Sequence, residues 1–361
     1  MHRLELRAND LPTITLLIMD FLSSILKDTK NEFASRASDG IAAGDVETFV
    51  DTGSYIFNAL VSGSIFGGIP SNKITALAGE SGTGKTFFCL SVVRSFLDTN
   101  PNAGVIYFET ESAISRNMIE SRGIDSKRLI IMPVNTIEEF RTQAVRIVDK
   151  YMETPKDDRV PMMFVLDSLG MLATNKEVED ASNDKQVRDM TKAQLIKSCF
   201  RILTLKLGKA NIPMLVTNHT YDVVGAYVPT KEMGGGSGLK YSASTIVYLG
   251  KKKEKDGTVL IGNIIKCEAK KSRLTREGSK IETRLFFDER GLEQHYGLLE
   301  LGEAAGLWKN VAGRYEIDGK KVYAKQILKD PEQYFTPEVL AELDKQAQKT
   351  FLYGAEDDGE A

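Results

Sequence analysis

The chain has 361 residues, of which 42% are hydrophobic and 27% are charged, and its formal net charge is −3 at pH 7. These values are typical of a soluble globular protein with one large core, and they require any basic surface to be local. No stretch approaches the ~20 apolar residues that span a membrane. The cysteines are too few and too scattered for a disulfide framework or a zinc site, which favours a reducing cytoplasm: Cys89, Cys199 and Cys267.

The first predicted element is an amphipathic helix from Asp20 to about Ala37, followed by a short edge strand at Val46–Val50. Residues 1–18 show no pattern that joins this helix, so we expect Met19 to be the natural start and the earlier residues to be an upstream extension. An arm of one helix and one strand has little of its own to bury. It docks either on another subunit or on its own domain.

The next feature is a phosphate-binding loop. Its residues fit the pattern G-x-x-x-x-G-K-[ST] at every fixed position and lie between an apolar strand and a helix. Glycines let backbone N–H groups approach phosphate oxygens, and the helix N-terminus adds its positive dipole end. Lys85 would reach the β- and γ-phosphates, and the Thr86 hydroxyl would ligate Mg²⁺. The eight loop residues are Gly79, Glu80, Ser81, Gly82, Thr83, Gly84, Lys85 and Thr86.

Repeated alternation of strands and helices follows. We predict helices after the phosphate loop, at 136–153 and at 184–207, and strands at 73–78, 105–109, 129–133, 161–167, 213–218, 245–249, 260–268 and 281–287. Helical crossovers join the first five strands, which predicts an α/β fold with a mostly parallel central sheet. The last three strands are closely spaced, and we expect them to be antiparallel additions.

Polar side chains follow three of these strands where the strands end. Asp167 is placed to hold Mg²⁺, or alternatively to cap the next helix. Glu109 and Glu111 point the same way, so one of them can activate the water that attacks the γ-phosphate, unless both belong to a solvated turn. Asn218 and His219 lie at the same sheet edge, where ligands bind in such folds.

Two segments are too long and too polar for simple connections. One follows Leu172 and continues to about residue 185. The other follows His219 and combines glycines with Lys231 and tyrosines, which can contact a phosphate backbone and wedge between bases. A basic cluster near a later strand end contains Lys266, Lys270, Lys271 and Arg273. Taken alone, that cluster is more typical of a solvated hairpin.

The pattern of predicted helices and strands changes after about Gly291. A helix at 297–307, a hairpin at 317–322 and a helix after Thr336 predict a small C-terminal α+β unit with an acidic tail. The predicted division is therefore an arm at 1–45, a core at 46–290 and a C-terminal domain at 291–361.

In this order and spacing, the motifs resemble the RecA family of DNA strand-exchange recombinases, and most closely its phage (UvsX) branch. The resemblance covers nearly the whole chain from about Val46. It rests on Val50-Asp-Thr-Gly-Ser54, the phosphate loop, Phe108-Glu-Thr-Glu111, Leu166-Asp-Ser168, Asn218-His219, Met233-Gly-Gly-Gly-Ser-Gly-Leu-Lys-Tyr-Ser242 and Lys271-Ser-Arg273.

The resemblance implies a P-loop ATPase that uses ATP and Mg²⁺ and forms a helical filament on single-stranded DNA. It also implies head-to-tail contacts through the N-terminal arm, with ATP between neighbouring subunits. The resemblance further implies that the filament exchanges strands with duplex DNA. We expect a single-strand-binding protein and a recombination mediator as further partners. The setting would be the cytoplasm of a phage-infected bacterium.

By the same resemblance, Glu111 is the catalytic glutamate, Asp167 the metal-site aspartate, and His219 the residue that couples ATP to DNA. Lys271 and Arg273 match a basic pair that reaches the γ-phosphate of the next subunit. The segments 173–186 and 221–237 match two DNA-binding loops, with expected contacts from Asn175, Lys176, Tyr221, Tyr227, Lys231, Gly234, Gly235 and Gly236.

One motif departs from the family. A tyrosine that packs on adenine usually follows a proline by two residues, but Met118 and Arg116 stand at these positions. A thioether can cover an adenine ring, although less specifically than a tyrosine does.

Two alternative functions stay open. A ring-forming helicase could use the same core, although the short glycine-rich second loop fits it less well. A nucleotide-switched assembly protein that never binds DNA would agree with the modest net charge of −3.

Overall fold

The computed structural model describes residues 11–41, 43–183, 191–222, 231–317 and 319–354. The expected DNA contact Tyr227, the start of the helix predicted at 184–207 and the acidic tail from residue 355 lie outside these ranges. The chain divides into two compact units, Met1–Asp45 and Val46–Ala361. Within the described ranges, no helix is long and apolar enough to cross a membrane.

The first unit contains helix α1, Leu11–Asp28. The prediction of a helix at 20–37 without the residues before it was wrong at both ends. Apolar side chains four residues apart, such as Leu17 and Phe21, continue the helical pattern toward the N-terminus, and both are exposed. Lys30 takes a left-handed conformation with φ 49°, which no regular helix continues through.

The second unit combines a large sheet with two small ones. Its described strands are β1 (Phe49–Val50), β2 (Ile69–Pro70), β3 (Ile74–Gly79), β4 (Gly104–Glu109), β5 (Leu129–Pro133), β6 (Met162–Asp167), β7 (Met214–Asp222), β8 (Lys231–Met233), β9 (Thr245–Asp256), β10 (Val259–Ser272), β11 (Lys280–Phe286), β12 (Lys309–Val311), β13 (Arg314–Ile317) and β14 (Lys320–Tyr323).

Helices cover both faces of the large sheet. The described helices are α2 (Tyr55–Ser62), α3 (Lys85–Thr99), α4 (Arg116–Glu120), α5 (Ile137–Glu153), α6 (Asn175–Ser182), α7 (Lys192–Ala210), α8 (Ser237–Ser242), α9 (Leu298–Ala304), α10 (Ala324–Lys329) and α11 (Pro337–Phe351).

The described strands of the large sheet follow the order β11-β10-β9-β3-β7-β6-β4-β5, with β8 attached to β7. Strands β3, β4, β5, β6, β7 and β9 run parallel. The expectation that β9 is antiparallel was wrong, because β9 pairs in parallel with β3. The chain crosses through α8 before β9 begins, so β9 enters the sheet from the same end as β3. Strands β10 and β11 are antiparallel, as predicted.

Two apolar layers hold the sheet from its two sides. Phe57, Phe88 and Tyr107 belong to the layer under α2 and α3, and all three are fully buried. Phe140 and Phe200 belong to the layer under α5 and α7. Burying an aromatic side chain of this size stabilises the fold by roughly 1.5–3 kcal/mol. The sheet is therefore a rigid support for its own carboxyl edge.

The first predicted DNA-binding segment (173–186, here called the first DNA-loop segment) contains a helix in its described part, where the sequence predicted a loop. Helix α6 begins with a capping box, in which the Thr174 backbone N–H donates to the Glu177 carboxylate at 2.9 Å and the Glu177 N–H donates to the Thr174 hydroxyl at 3.0 Å. The pattern T-x-x-E is the sequence signature of this motif, so the helix start was readable from the sequence.

The C-terminal residues pack against the core. The Asp344 carboxylate of α11 accepts hydrogen bonds from the Ser64 hydroxyl at 2.6 Å and the Ile65 N–H at 2.8 Å. The Trp308 indole N–H donates to the Leu299 carbonyl at 2.7 Å. Strands β13 and β14 form the predicted hairpin, and the Thr336 hydroxyl caps α11 as the sequence predicted.

Candidate nucleotide site and DNA interface

The phosphate loop needs glycine at several of its positions. Gly82 and Gly84 adopt left-handed conformations with φ 68° and 101°, which residues with a Cβ rarely take. A Cβ on Gly79 would approach the Leu249 carbonyl oxygen to 2.7 Å. Gly84 then forms the N-cap of α3, so the N-terminus of a 15-residue helix faces the loop. This geometry is that of an anion-binding site.

Lys85 lies inside this loop and is only 7% exposed. Its ammonium donates hydrogen bonds at 2.9 Å to the carbonyl oxygens of Gly79 and Glu80. Burial lowers the pKa of Lys85, while the carboxylates of Asp167 and Glu111 act to raise it. The buried cation is thus held between the loop and two anions at the strand ends.

Two further lysines contact the loop, and the sequence predicted neither contact. Lys251 on β9 donates a hydrogen bond to the Gly82 carbonyl oxygen. Lys231, predicted as a DNA contact, forms an ion pair with Glu80. The sequence did not reveal Lys251 because its position beside the loop depends on the parallel pairing of β9 with β3.

The structure brings the predicted strand-end residues together. Glu109 lies opposite Asp167 in the β4–β6 register, and Gly79 lies opposite His219 in the β3–β7 register. The His219 Nε2 atom is 3.5 Å from the Glu111 Oε1 atom. Parallel strands end at one edge of a sheet, which is why the sequence could predict this convergence.

Glu109 and Glu111 lie in different environments. Glu109 is buried, and its carboxylate accepts the backbone N–H groups of Glu111, Ser112 and Ala113 at 2.9–3.0 Å. It therefore shapes the turn that carries Glu111. The Glu111 side chain is 35% exposed and accepts a hydrogen bond from the Ser168 hydroxyl at 2.8 Å. Of the two carboxylates, Glu111 is the more exposed, and Glu109 is the one occupied by backbone hydrogen bonds.

Asp167 is buried at the end of β6 and lies between two hydroxyl groups. The Tyr107 hydroxyl donates to its Oδ2 atom at 2.7 Å, and the Thr217 hydroxyl donates to its Oδ1 atom. Burial, with a smaller effect from the Asp167 charge, raises the pKa of Tyr107 well above its usual value, so the phenol stays protonated. Thr86 is partly exposed in the first turn of α3.

Comparison with known proteins identifies the family. The protein-family model of the RecA N-terminal domain matches residues 22–292 of this chain. The chain belongs to the RecA family. It is 37% identical over 251 residues to the recombination and repair protein of enterobacteria phage T4, an alignment that covers 70% of this chain and 62% of that protein. Against protein RecA of Thermus aquaticus, it is 26% identical over 304 residues, covering 81% and 85% of the two chains.

RecA of Streptomyces rimosus is a third relative, 24% identical over 295 residues that cover 80% of this chain and 74% of that protein. These matches confirm the predicted resemblance to the RecA family and the α/β class with a mostly parallel sheet. The chain spans about three fifths of the length of the T4 relative.

In this RecA-family chain, the second predicted DNA-binding segment (221–237, here called the second DNA-loop segment) begins and ends beside the candidate nucleotide site. Strand β8 pairs with the end of β7, and the Asn218 amide donates to the Gly234 carbonyl oxygen at 2.9 Å. Gly235 and Gly236 adopt positive φ values of 80° and 70°, and Tyr221 is exposed. Of the first-segment residues, Asn175 begins α6 and Lys176 is exposed. Both segments stay predictions as DNA contacts.

The two residues of the predicted basic pair, Lys271 and Arg273, lie in different environments. The Lys271 ammonium donates to the carbonyl oxygens of Lys240, Tyr241 and Ala243 at 2.6–3.2 Å, at the C-terminal end of α8. Burial, and then the charge of Arg273, lowers the pKa of Lys271. The Arg273 side chain is exposed. Within one RecA-family subunit, Lys271 therefore caps a helix, whereas Arg273 projects into solvent.

Met118 lies in the short helix α4, partly buried against the core. The Arg122 guanidinium ties this helix down, donating at 2.9 Å to the carbonyl oxygens of Met118 and Phe287. It also stacks over the Phe87 ring with its central carbon 4.3 Å from the ring centroid. Met118 thus has a fixed backbone, and its contact with adenine stays a prediction.

Proposed function

We propose that this chain is an ATP-dependent DNA recombinase that forms a helical filament on single-stranded DNA and catalyses homologous pairing and strand exchange. The observation that carries the proposal is the convergence of the phosphate loop, Glu111, Asp167 and His219 at one sheet edge, directly beside the second DNA-loop segment. The names of the relatives, a recombination and repair protein and two RecA proteins, support the same function.

ATP and Mg²⁺ are the proposed cofactors, and the donor set fits both. The loop N–H groups and Lys85 would hold the β- and γ-phosphates, while Thr86 and Asp167 would hold the metal ion. Bound Mg²⁺ supplies neutralisation of the charge on the phosphate oxygens. Glu111 orients the attacking water and takes its proton, and the Ser168 hydroxyl keeps that carboxylate in place.

Coupling between DNA and ATP would pass through β7. His219 on this strand lies beside Glu111, and its neighbour Asn218 holds Gly234 at the end of the second DNA-loop segment. DNA bound to this segment would then fix the His219 ring against Glu111. In this proposal, DNA stimulates hydrolysis because it completes the catalytic arrangement.

Self-assembly would place the N-terminal arm of one subunit against the surface of a neighbouring subunit. Leu17, Phe21 and Leu22 of α1 are exposed, and contiguous exposed apolar residues favour a protein partner. We assign that partner to a second copy of this chain. Duplex DNA, a single-strand-binding protein and a recombination mediator are further proposed partners, in a bacterial cytoplasm.

Single-stranded DNA is expected to stimulate ATP hydrolysis by the purified chain, and electron microscopy of the ATP-bound complex is expected to show helical filaments. Measuring hydrolysis with and without DNA separates this function from an assembly protein that never binds DNA. Closed rings in place of filaments would support the ring helicase and contradict our proposal.

Glu111→Gln is expected to bind ATP normally and to hydrolyse it about 100- to 10,000-fold more slowly, because only water activation is lost. Its filaments should outlive those of the wild-type chain in the presence of ATP. Ser168→Ala serves as a milder comparison, since it keeps the carboxylate but removes its hydrogen bond. Rapid dissociation of the Glu111→Gln protein from DNA would contradict the role of Glu111.

A further inference from the structure

The buried hydroxyl groups on either side of Asp167 have no part in the phosphate loop. Tyr107 and Thr217 are both 0% exposed, and Asp167 is 5% exposed. Tyr107 Oη donates to one carboxylate oxygen at 2.7 Å, and Thr217 Oγ1 donates to the other. Each oxygen of this carboxylate thus accepts one hydrogen bond from a group shielded from solvent.

The sheet order explains how the two hydroxyls reach one carboxylate. Strand β6, which ends in Asp167, lies between β4 and β7, which carry Tyr107 and Thr217. Residues two apart on a strand share a face, and Val165, Val105 and Leu215 precede the three polar residues on the face that packs under α3. Asp167, Tyr107 and Thr217 therefore extend that face toward the phosphate loop.

A hydroxyl at either position is not needed for packing. The neighbouring inward residues of β4 and β7 are Val105 and Leu215, both fully buried and apolar. A phenylalanine ring would fill nearly the same space as the Tyr107 ring. Burying a hydroxyl without a hydrogen-bond partner is unfavourable. The hydrogen bonds to the Asp167 carboxylate therefore explain why hydroxyl groups occur at these two buried positions.

We propose that Tyr107 and Thr217 are positioning residues that orient the Asp167 carboxylate for Mg²⁺. The inference rests on the proposed function, in which Asp167 holds the metal ion. A carboxylate has about four lone-pair sites, so two hydrogen bonds fix its plane and still leave each oxygen able to face the metal ion or its waters. Partners of this kind typically contribute 10–100-fold to metal affinity.

The test measures the Mg²⁺ dependence of nucleotide binding in the full chain, with a fluorescent N-methylanthraniloyl ADP as the probe and MgCl₂ as the titrant. For Tyr107→Phe and Thr217→Val, the Mg²⁺ concentration at half-maximal effect is expected to rise about 10–100-fold. Binding of the probe in EDTA should not change. Thr217→Ser, which keeps the hydroxyl, should restore the wild-type midpoint.

Tyr151→Phe is the matched control. It also removes one tyrosine hydroxyl, but this one lies in the last turn of α5 and donates to the Val160 carbonyl at 3.0 Å, without any contact to Asp167. We expect its Mg²⁺ midpoint to equal that of the wild-type chain. If Tyr107→Phe fails to fold by circular dichroism, the comparison of Thr217→Val with Thr217→Ser decides.

Asp167→Asn distinguishes the proposed positioning role of the two hydroxyls from the proposed metal site. If it shifts the Mg²⁺ midpoint while Tyr107→Phe and Thr217→Val do not, the positioning role is wrong and the metal site stands. If Asp167→Asn has no effect either, the proposed metal site itself is wrong. Weaker probe binding in EDTA with an unchanged Mg²⁺ midpoint would assign the hydroxyls to the fold alone.

Discussion

Lys85→Ala is expected to abolish nucleotide-dependent activity. Its ammonium is a charged donor inside the loop, 2.9 Å from each of two loop carbonyls, and alanine leaves the β- and γ-phosphates without that charge. Removing one preorganised donor to a developing charge costs about 100- to 1,000-fold in rate. Because Lys85 would also contact the phosphates of ATP in the ground state, we expect ATP affinity and DNA-stimulated hydrolysis to fall together.

Lys345→Ala provides the control for the loss of one positive charge. Lys345 is exposed on α11, where it forms a surface ion pair with Glu342. Surface ion pairs contribute about 0–1 kcal/mol to the free energy of unfolding. It should hydrolyse ATP and pair DNA at wild-type rates. Binding is measured by titration of nucleotide, and circular dichroism establishes that Lys85→Ala is folded. Normal ATP binding by folded Lys85→Ala would overturn the assignment of the phosphate site.

The second large effect is expected from mixing two inactive variants. If the active site lies between subunits, one subunit supplies the phosphate loop and Glu111, and its neighbour supplies the basic pair. Glu111→Gln and Arg273→Ala should each hydrolyse ATP poorly. In an equal mixture with random assembly, about a quarter of the interfaces unite an intact Glu111 with an intact Arg273. DNA-stimulated hydrolysis should then return to roughly that fraction of the wild-type rate.

Arg273→Ala is the better partner in this experiment than a change at Lys271. Lys271 binds three carbonyl oxygens at the end of α8, so its removal also destabilises that helix terminus. Lys271→Ala is therefore run separately, and a loss of thermal stability is expected for it but not for Arg273→Ala. If both variants occupy the same filaments and no hydrolysis returns, the basic residues act within their own subunit or not at all.

Much of the site was readable from the sequence because its signals are local. The phosphate loop is one continuous motif, and Glu111, Asp167 and His219 each follow an apolar strand. Strands joined by helical crossovers end at one sheet edge, which is enough to bring these residues together.

The features that the sequence did not provide depend on contacts between distant residues. Strand β9 was given the wrong direction, because its spacing from β10 hid its parallel pairing with β3. Lys251 was missed for the same reason. Tyr107 and Thr217 read as ordinary strand residues, since only the order of β4, β6 and β7 reveals that both face Asp167.

The physical difference between Glu109 and Glu111 came from the structure, although the resemblance to the RecA family had already pointed to Glu111. Glu109 ends β4 and Glu111 follows two residues later, and this spacing alone allowed either carboxylate to activate water. The structure shows that the Glu109 carboxylate is occupied by three backbone N–H groups. By contrast, the start of α6 was readable from Thr174 and Glu177, and the prediction of a polar loop there overlooked a capping box.

The most direct test of the account is formation of joint molecules between circular single-stranded DNA and a homologous linear duplex, with ATP and Mg²⁺ present. We predict joint molecules that need the full chain, ATP and homology, and none with Lys85→Ala or with a heterologous duplex. Binding of single-stranded DNA and stimulated ATP hydrolysis without any joint molecules would contradict the account.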